Sequence, residues 1–166
     1  MNKIHYLKGD AVYPQARGNI IITHICNDIG VWGRGFVIAL SARWMAPEIE
    51  FLIWRKEGND FSLGNVQFVK VTPTITVANM IAQHDIISKN GVPPIRYEAL
   101  EECLEKTAQK AVELEASIHM PRIGCGFAGG SWKTIEDIIL KTIISKILKF
   151  MYTTYRRKGE LWKYPC

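Results

Sequence analysis

The chain has 166 residues, 48% of them hydrophobic and 22% charged, with a formal net charge of +5. Those proportions allow one domain with a real core and exclude a disordered or fibrous polymer. The basic balance favours anionic partners in general and names none.

No apolar run reaches the length of a membrane span. A strand-like pattern begins at once, at Lys3 to Lys8, and leaves no room for a leader segment. The expectation is therefore a cytoplasmic protein. Cys26, Cys103, Cys125 and Cys166 are scattered without a C-x-x-C pair. That argues against a zinc site and against a disulfide framework.

Gly9-Asp10 closes the first strand. Asn19 to Cys26 reads as a second, β-rich strand covered on both faces. Gly30, Gly33 and Gly35 then sit at a strand-to-helix junction. Glycine lets the chain turn sharply and lets a ligand approach the main chain. Free N–H groups at a helix start suit an anion. Such a junction serves equally as a plain structural turn or as a phosphate loop. The spacing predicts a helix over 36–44 and a second one from Pro47 to about Gly58.

Val66 to Val71 and Ile75 to Ala82 read as a hairpin. Gln83 to Arg96 is a long loop rich in Asn, Gly and Pro, a length often tied to function. Tyr97, Leu100, Leu104, Ala108 and Ala111 recur at helical spacing, with charges opposite. Ser117 to Ile123 is a short strand. A second glycine loop follows, from Gly124 to Gly130. Ser131 is placed to cap the next helix, which runs through Ile135, Ile139 and Ile143 towards Lys146 and Ile147. Phe150 to Tyr155 reads as a last strand. Alternating strands and helices predict a three-layer α/β/α fold with a central mixed sheet. Both glycine loops lie at strand ends that lead into helices, where such sheets bind ligands.

Four stretches resemble the macrodomain family, the ADP-ribose-binding module. They are Lys8-Gly9-Asp10, His24 to Phe36, Val77 to Gln83, and Met120-Pro121-Arg122-Ile123-Gly124-Cys125-Gly126 followed by Trp132. The resemblance covers roughly residues 1–148. It is strongest to the branch holding ADP-ribose-1''-phosphate phosphatases and the terminal ADP-ribose–protein glycohydrolase. It implies a macrodomain over 1–155 and a basic tail over 156–166. The implied partner is ADP-ribose or an ADP-ribosylated substrate, with nucleic acid only as a modified substrate and no cofactor, metal or membrane.

The resemblance also implies roles. Asp10 would accept the adenine amino group. Asn27 and Asp28 would face the distal ribose. Gly33, Arg34, Gly35 and Phe36 would line the ribose and diphosphate from one side. Gly124, Cys125, Gly126, Phe127 and Ala128 would wrap the diphosphate from the other. A stacking aromatic near the C-terminus, such as Tyr152, would complete the adenine side. The branch's lysine and second-loop aspartate are replaced by Gln83 and Ala128. Glutamine forms no Schiff base and alanine carries no proton. Lys89 reaches inward only if its loop folds back. The remaining candidates for hydrolysis are Asp28, which can orient water, and His24 or His84, since imidazole exchanges protons near neutral pH. A core role for His24 and a turn-forming role for Asp28 stand beside these. The two functional readings are hydrolysis at the distal ribose and non-catalytic recognition of ADP-ribose.

Overall fold

A computed structural model describes residues 4–145, and the backbone of 151–155. In chain order it contains β1 (Ile4–Lys8), β2 (Ile20–Asn27), α1 (Phe36–Arg43), α2 (Ala46–Glu57), β3 (Val66–Lys70), β4 (Ile75–Gln83), α3 (Tyr97–Glu113), β5 (Ser117–Met120), α4 (Trp132–Ile139) and β6 (Met151–Tyr155). One six-stranded sheet forms in the order β1-β6-β5-β2-β4-β3. All neighbours pair in parallel except β3 with β4. The sheet is therefore mixed, with its antiparallel strand at one edge.

Alternation along the central strands sends side chains to two separate cores. Ile21, Ala78, Met80, Ile118 and Met120 pack with Leu100 and Leu104 of α3 and Ile135 and Ile139 of α4. Ile20, Ile22 and Val77 pack with Leu40 of α1 and with Val12. Helices therefore cover both faces, and the expected three layers are present. No helix among the described residues is long and apolar enough to cross a membrane.

Local sequence accounts for the boundaries. Pro47 sits in the first turn of α2, and Gly58 ends that helix in the left-handed region at φ 73°. β5 stops at Met120, short of the expected Ile123, because Pro121 opens a turn closed by the Ile123 N–H on the Pro121 carbonyl at 2.8 Å. The final helix is regular only to Ile139 and continues as a π turn over Leu140–Ile144. There the Thr142 hydroxyl donates to the Ile138 carbonyl at 2.8 Å, inside the helical ladder. Ser131 occupies the cap position of α4 without a capping side-chain bond. Its N–H donates instead to the Tyr97 hydroxyl at 2.9 Å. The expected helix end at Lys146 and Ile147, the side chain of Tyr152 and the basic tail 156–166 lie outside the described residues.

The connections create a crevice. From β2 the chain moves through α1, α2 and β3 to β4 on one side. From β5 it moves through α4 to β6 on the other. Adjacent parallel strands whose connections depart in opposite directions define a topological switch point, where open α/β sheets hold ligands.

Candidate functional site

Four segments leave the sheet at the same edge, because β1, β2, β4 and β5 run parallel and each delivers its carboxyl end there. They are Gly9–Tyr13 after β1, the first glycine loop after β2, residues 84–96 after β4, and the second glycine loop after β5.

The first loop is fastened at its root. Asn27 is 7% exposed. Its amide donates to the Val31 carbonyl at 2.7 Å and its carbonyl oxygen accepts the Val31 N–H at 2.9 Å. Both ends of this side chain are thus engaged by its own loop, so Asn27 shapes the loop from beneath. Gly30 takes φ 73°, and the aliphatic stem of Arg55 lies where a Cβ would project, 1.7 Å from its Cδ. Gly35 occupies the cap of α1 at φ 80°, and no side chain caps that helix. Within its first turn the Ile38 N–H donates to the Gly35 carbonyl at 3.2 Å. Gly33 and Arg34 are exposed. The Phe36 ring turns inward, 5.9 Å from the His24 ring.

The second loop is closed by its own main chain. The Gly130 N–H donates to the Gly124 carbonyl at 2.7 Å, and the Gly129 N–H to the Gly126 carbonyl at 3.1 Å. Gly124 takes φ 74° between the side chains of Ile95, Ile135 and Ile25. Contact with Ile25, a β2 residue, brings this loop against the root of the first. Gly126 has open space above it. Cys125 and Ala128 are buried, whereas Phe127 is 42% exposed.

Residues 84–96 join the two loops, which sequence reasoning missed. At one end, Asp28 accepts hydrogen bonds from the Asp85 N–H at 3.0 Å and from His84 Nδ1 at 2.7 Å. At the other, the Ile95 N–H donates to the Ala128 carbonyl at 3.0 Å, and Pro93 packs over Gly129. Gln83 donates to the Asp85 carbonyl at 2.8 Å. Lys89 does not reach inward. It pairs with Asp85 at 2.7 Å and remains 60% exposed, and this contact holds the Asp85 carboxyl below its usual range.

Asp10 forms the turn its position suggests: its carboxylate accepts the Val12 N–H at 3.1 Å, and its carbonyl the Tyr13 N–H at 3.0 Å. The buried Val12 fixes that turn to the α1 side of the sheet.

The two histidine candidates separate sharply. His24 is 2% exposed, with Nε2 on the Asn79 carbonyl oxygen at 2.6 Å and its ring edge-on to Trp32. Burial pushes its pKa down to about 4. These contacts give the geometry of the core role named for His24 beside the catalytic one. His84, by contrast, is 47% exposed beside Asp28. Asn79 is the hub beneath: fully buried, it also donates to the Pro47 carbonyl and to Gln67 Oε1, both at 3.0 Å. The one hint was a polar residue inside an apolar strand pattern.

Cys26 and Cys103 are not poised for attack. Burial raises Cys26 well above the ordinary thiol range and pushes Cys103 up to about 12.

A scan of protein-family models matches none. Chromodomain-helicase-DNA-binding protein 1-like of Danio rerio is 33% identical over 166 residues, 95% of this chain, yet the chain spans only 16% of that relative. A structure from Bacteroides thetaiotaomicron, described as a protein of unknown function, is 49% identical with a TM-score of 0.90, over 94% of this chain and 99% of its own. Thermosipho africanus DarTG, solved in complex with ADP-ribose, shares the fold alone at 12% identity and a TM-score of 0.64, over 82% of this chain and 38% of its own. The macrodomain protein from Streptomyces coelicolor is 42% identical with a TM-score of 0.81, over 92% of this chain and 99% of its own. Since that likeness spans nearly the whole length of each protein, the chain belongs to the macrodomain family.

Proposed function

We propose that this macrodomain binds ADP-ribose or a close derivative in the crevice between its two glycine loops and hydrolyses at the distal ribose. The observation that carries the binding half is the meeting of those loops at one sheet edge, across the switch point between β2 and β5. The start of α1, which no side chain caps, offers the positive end of its helix dipole to a diphosphate. The open space above Gly126 lets a phosphate approach the second loop. Asp10, whose carboxylate accepts the Val12 N–H, is the candidate acceptor for an adenine amino group. The ADP-ribose found with Thermosipho africanus DarTG is in keeping with this choice of ligand.

For the chemical half, Asp28 and His84 are the working pair. Nδ1 of His84 is held on the Asp28 carboxylate at 2.7 Å, so a ring that lacks its second proton offers Nε2 as an acceptor. Such a ring can take a proton from a water that attacks the distal ribose or its 1''-phosphate. Arg34 balances developing phosphate charge. The candidate substrates are ADP-ribose-1''-phosphate and ADP-ribosylated side chains or nucleic-acid ends.

The second reading, a non-catalytic reader, is favoured by specific residues. Gln83 and Ala128 stand where the resembling glycohydrolase branch carries its lysine and aspartate, and Ala128 is buried. Calorimetric titration with ADP-ribose tests binding, and incubation with ADP-ribose-1''-phosphate and ADP-ribosylated substrates tests turnover. Heat without turnover selects the reader. No heat at high ligand concentration ends both.

A further inference from the structure

We propose that the outer face of α2 seats a second copy of this chain, the two helices lying antiparallel about a two-fold axis. The starting observation is a helix with apolar residues on both faces. Pro47 and Phe51 point into the protein and are buried. Opposite them, Ile49, Leu52 and Ile53 recur at the i, i+3, i+4 spacing of one helical face, at 47%, 43% and 44% exposure. Met45, 66% exposed, extends the stripe past the helix start, and Ile38 on the packed neighbour α1 is 60% exposed. Single exposed apolar residues need no explanation, but a stripe on the far side of a helix from its core marks a covered surface.

Charge chooses the occupant. α2 opens with Glu48 and Glu50 and closes with Arg55, Lys56 and Glu57, a net basic end. A parallel partner would stack like on like. An antiparallel copy sets the acidic start of one helix against the basic end of the other, twice. Glu48 and Arg55 are two helical turns apart and so lie on the same flank of the stripe. Like flanks meet in an antiparallel pair. A two-fold axis at the level of Phe51 sets Ile49 of one copy against Ile53 of the other. It brings Glu48 within about one residue's rise of Arg55 of the second copy. Glu50 and Glu57 share the opposite flank, and this register leaves each about five residues from the other across the seam. Arg55 is available for that pairing. It makes no hydrogen bond or ion pair among the described residues, and its stem is already ordered over Gly30. Glu48 engages Ser41 through only one of its two carboxylate oxygens, at 2.7 Å. A C2 interface is self-complementary in this way. The inference does not rest on the ligand reading.

The test is sedimentation equilibrium on the full chain with three variants. The wild type is expected to be a dimer at concentrations of order 100 µM. Leu52→Glu places a charge in the apolar stripe and should leave a monomer, with circular dichroism and melting temperature retained because the side chain lies outside the core. Glu48→Arg should weaken the dimer several-fold. Combining it with Arg55→Glu should restore the affinity, which no effect on a single fold predicts. A wild type that stays monomeric overturns the proposal. So does a dimer indifferent to Leu52→Glu, or a double variant no tighter than Glu48→Arg, since each would place the contact elsewhere.

Discussion

The Asp28 carboxylate and the His84 ring, 56 positions apart in sequence, share a 2.7 Å hydrogen bond at the carboxyl edge of the sheet. The pair forms because β2 and β4 are parallel neighbours whose last residues meet, with the Asp28 N–H donating to the Gln83 carbonyl at 2.9 Å. Asp28 thereby does two jobs. It orients His84 through one oxygen and holds the start of residues 84–96 through the other.

Those jobs separate by substitution. His84→Ala removes the proposed proton carrier and leaves the Asp85 N–H on Asp28. Turnover of ADP-ribose-1''-phosphate should fall by roughly 10²-fold or more, while ADP-ribose affinity stays within a few-fold. Asp28→Ala should cost the same turnover and, in addition, lower the melting temperature, because the loop loses its anchor. Steady-state kinetics beside calorimetry checks both. Equal loss of turnover and affinity in His84→Ala would remove its chemical role.

Asn27 yields a different signature. Asn27→Ala deletes the two hydrogen bonds that tie the Val31 N–H and carbonyl to the root of the loop. The expected destabilisation is about 1–3 kcal/mol. Ligand affinity should fall with it, because the loop that presents Gly33 to Gly35 is no longer held. Denaturant unfolding and calorimetry measure the two. Weaker binding at unchanged stability would instead point to direct ligand contact by the Asn27 amide.

How far the sequence carried depended on the range of the interaction. Apolar periodicity, Pro47, Gly58 and the glycine clusters are local signals, and they located every element in its observed order. The placement of β6 between β1 and β5 is not local, since it depends on which edge the chain reaches after α4. Nor are cross-strand partners. His24 and His84 look alike in sequence, and only the pairing of His24 with Asn79 in the core and of His84 with Asp28 at the edge tells them apart. The bridge from Asp28 to Ala128 through residues 84–96 was hidden for the same reason. Its bonds are mostly main-chain bonds, which leave no residue-type signature.

The second loop allows a paired test of support against contact. Gly124→Ala must accept φ 74° and a Cβ 2.6 Å from Ile95 Cδ1. The backbone alone costs about 1–2 kcal/mol, and the crowding adds to it. Loss of stability and of binding together is expected. Gly126 carries no such conflict, with nothing within 4 Å of an added Cβ. Gly126→Ala should leave the melting temperature unchanged and yet weaken ADP-ribose, if a phosphate lies against that main chain. Undiminished affinity in Gly126→Ala would move the ligand off this loop.

The buried histidines set an acid limit on the fold. Burial pushes both His24 and His119 down to about 4. Each is held neutral in the folded protein, while the unfolded chain takes up the proton near the ordinary imidazole pKa of about 6.5. Below that value the unfolded state binds more protons, so acid favours it. Stability from this source is complete above about pH 6.5 and is lost as the pH falls towards about 4, up to roughly 3 kcal/mol for each ring. Melting temperatures should therefore decline steadily between about pH 6.5 and about pH 4.5. His24→Gln can keep a donor for the Asn79 oxygen and carries no titrating group. It should lower the melting temperature near neutral pH, through imperfect packing against Trp32 and Phe36, but flatten its decline with acid. An unchanged slope in that variant would show that His24 does not contribute to the acid sensitivity.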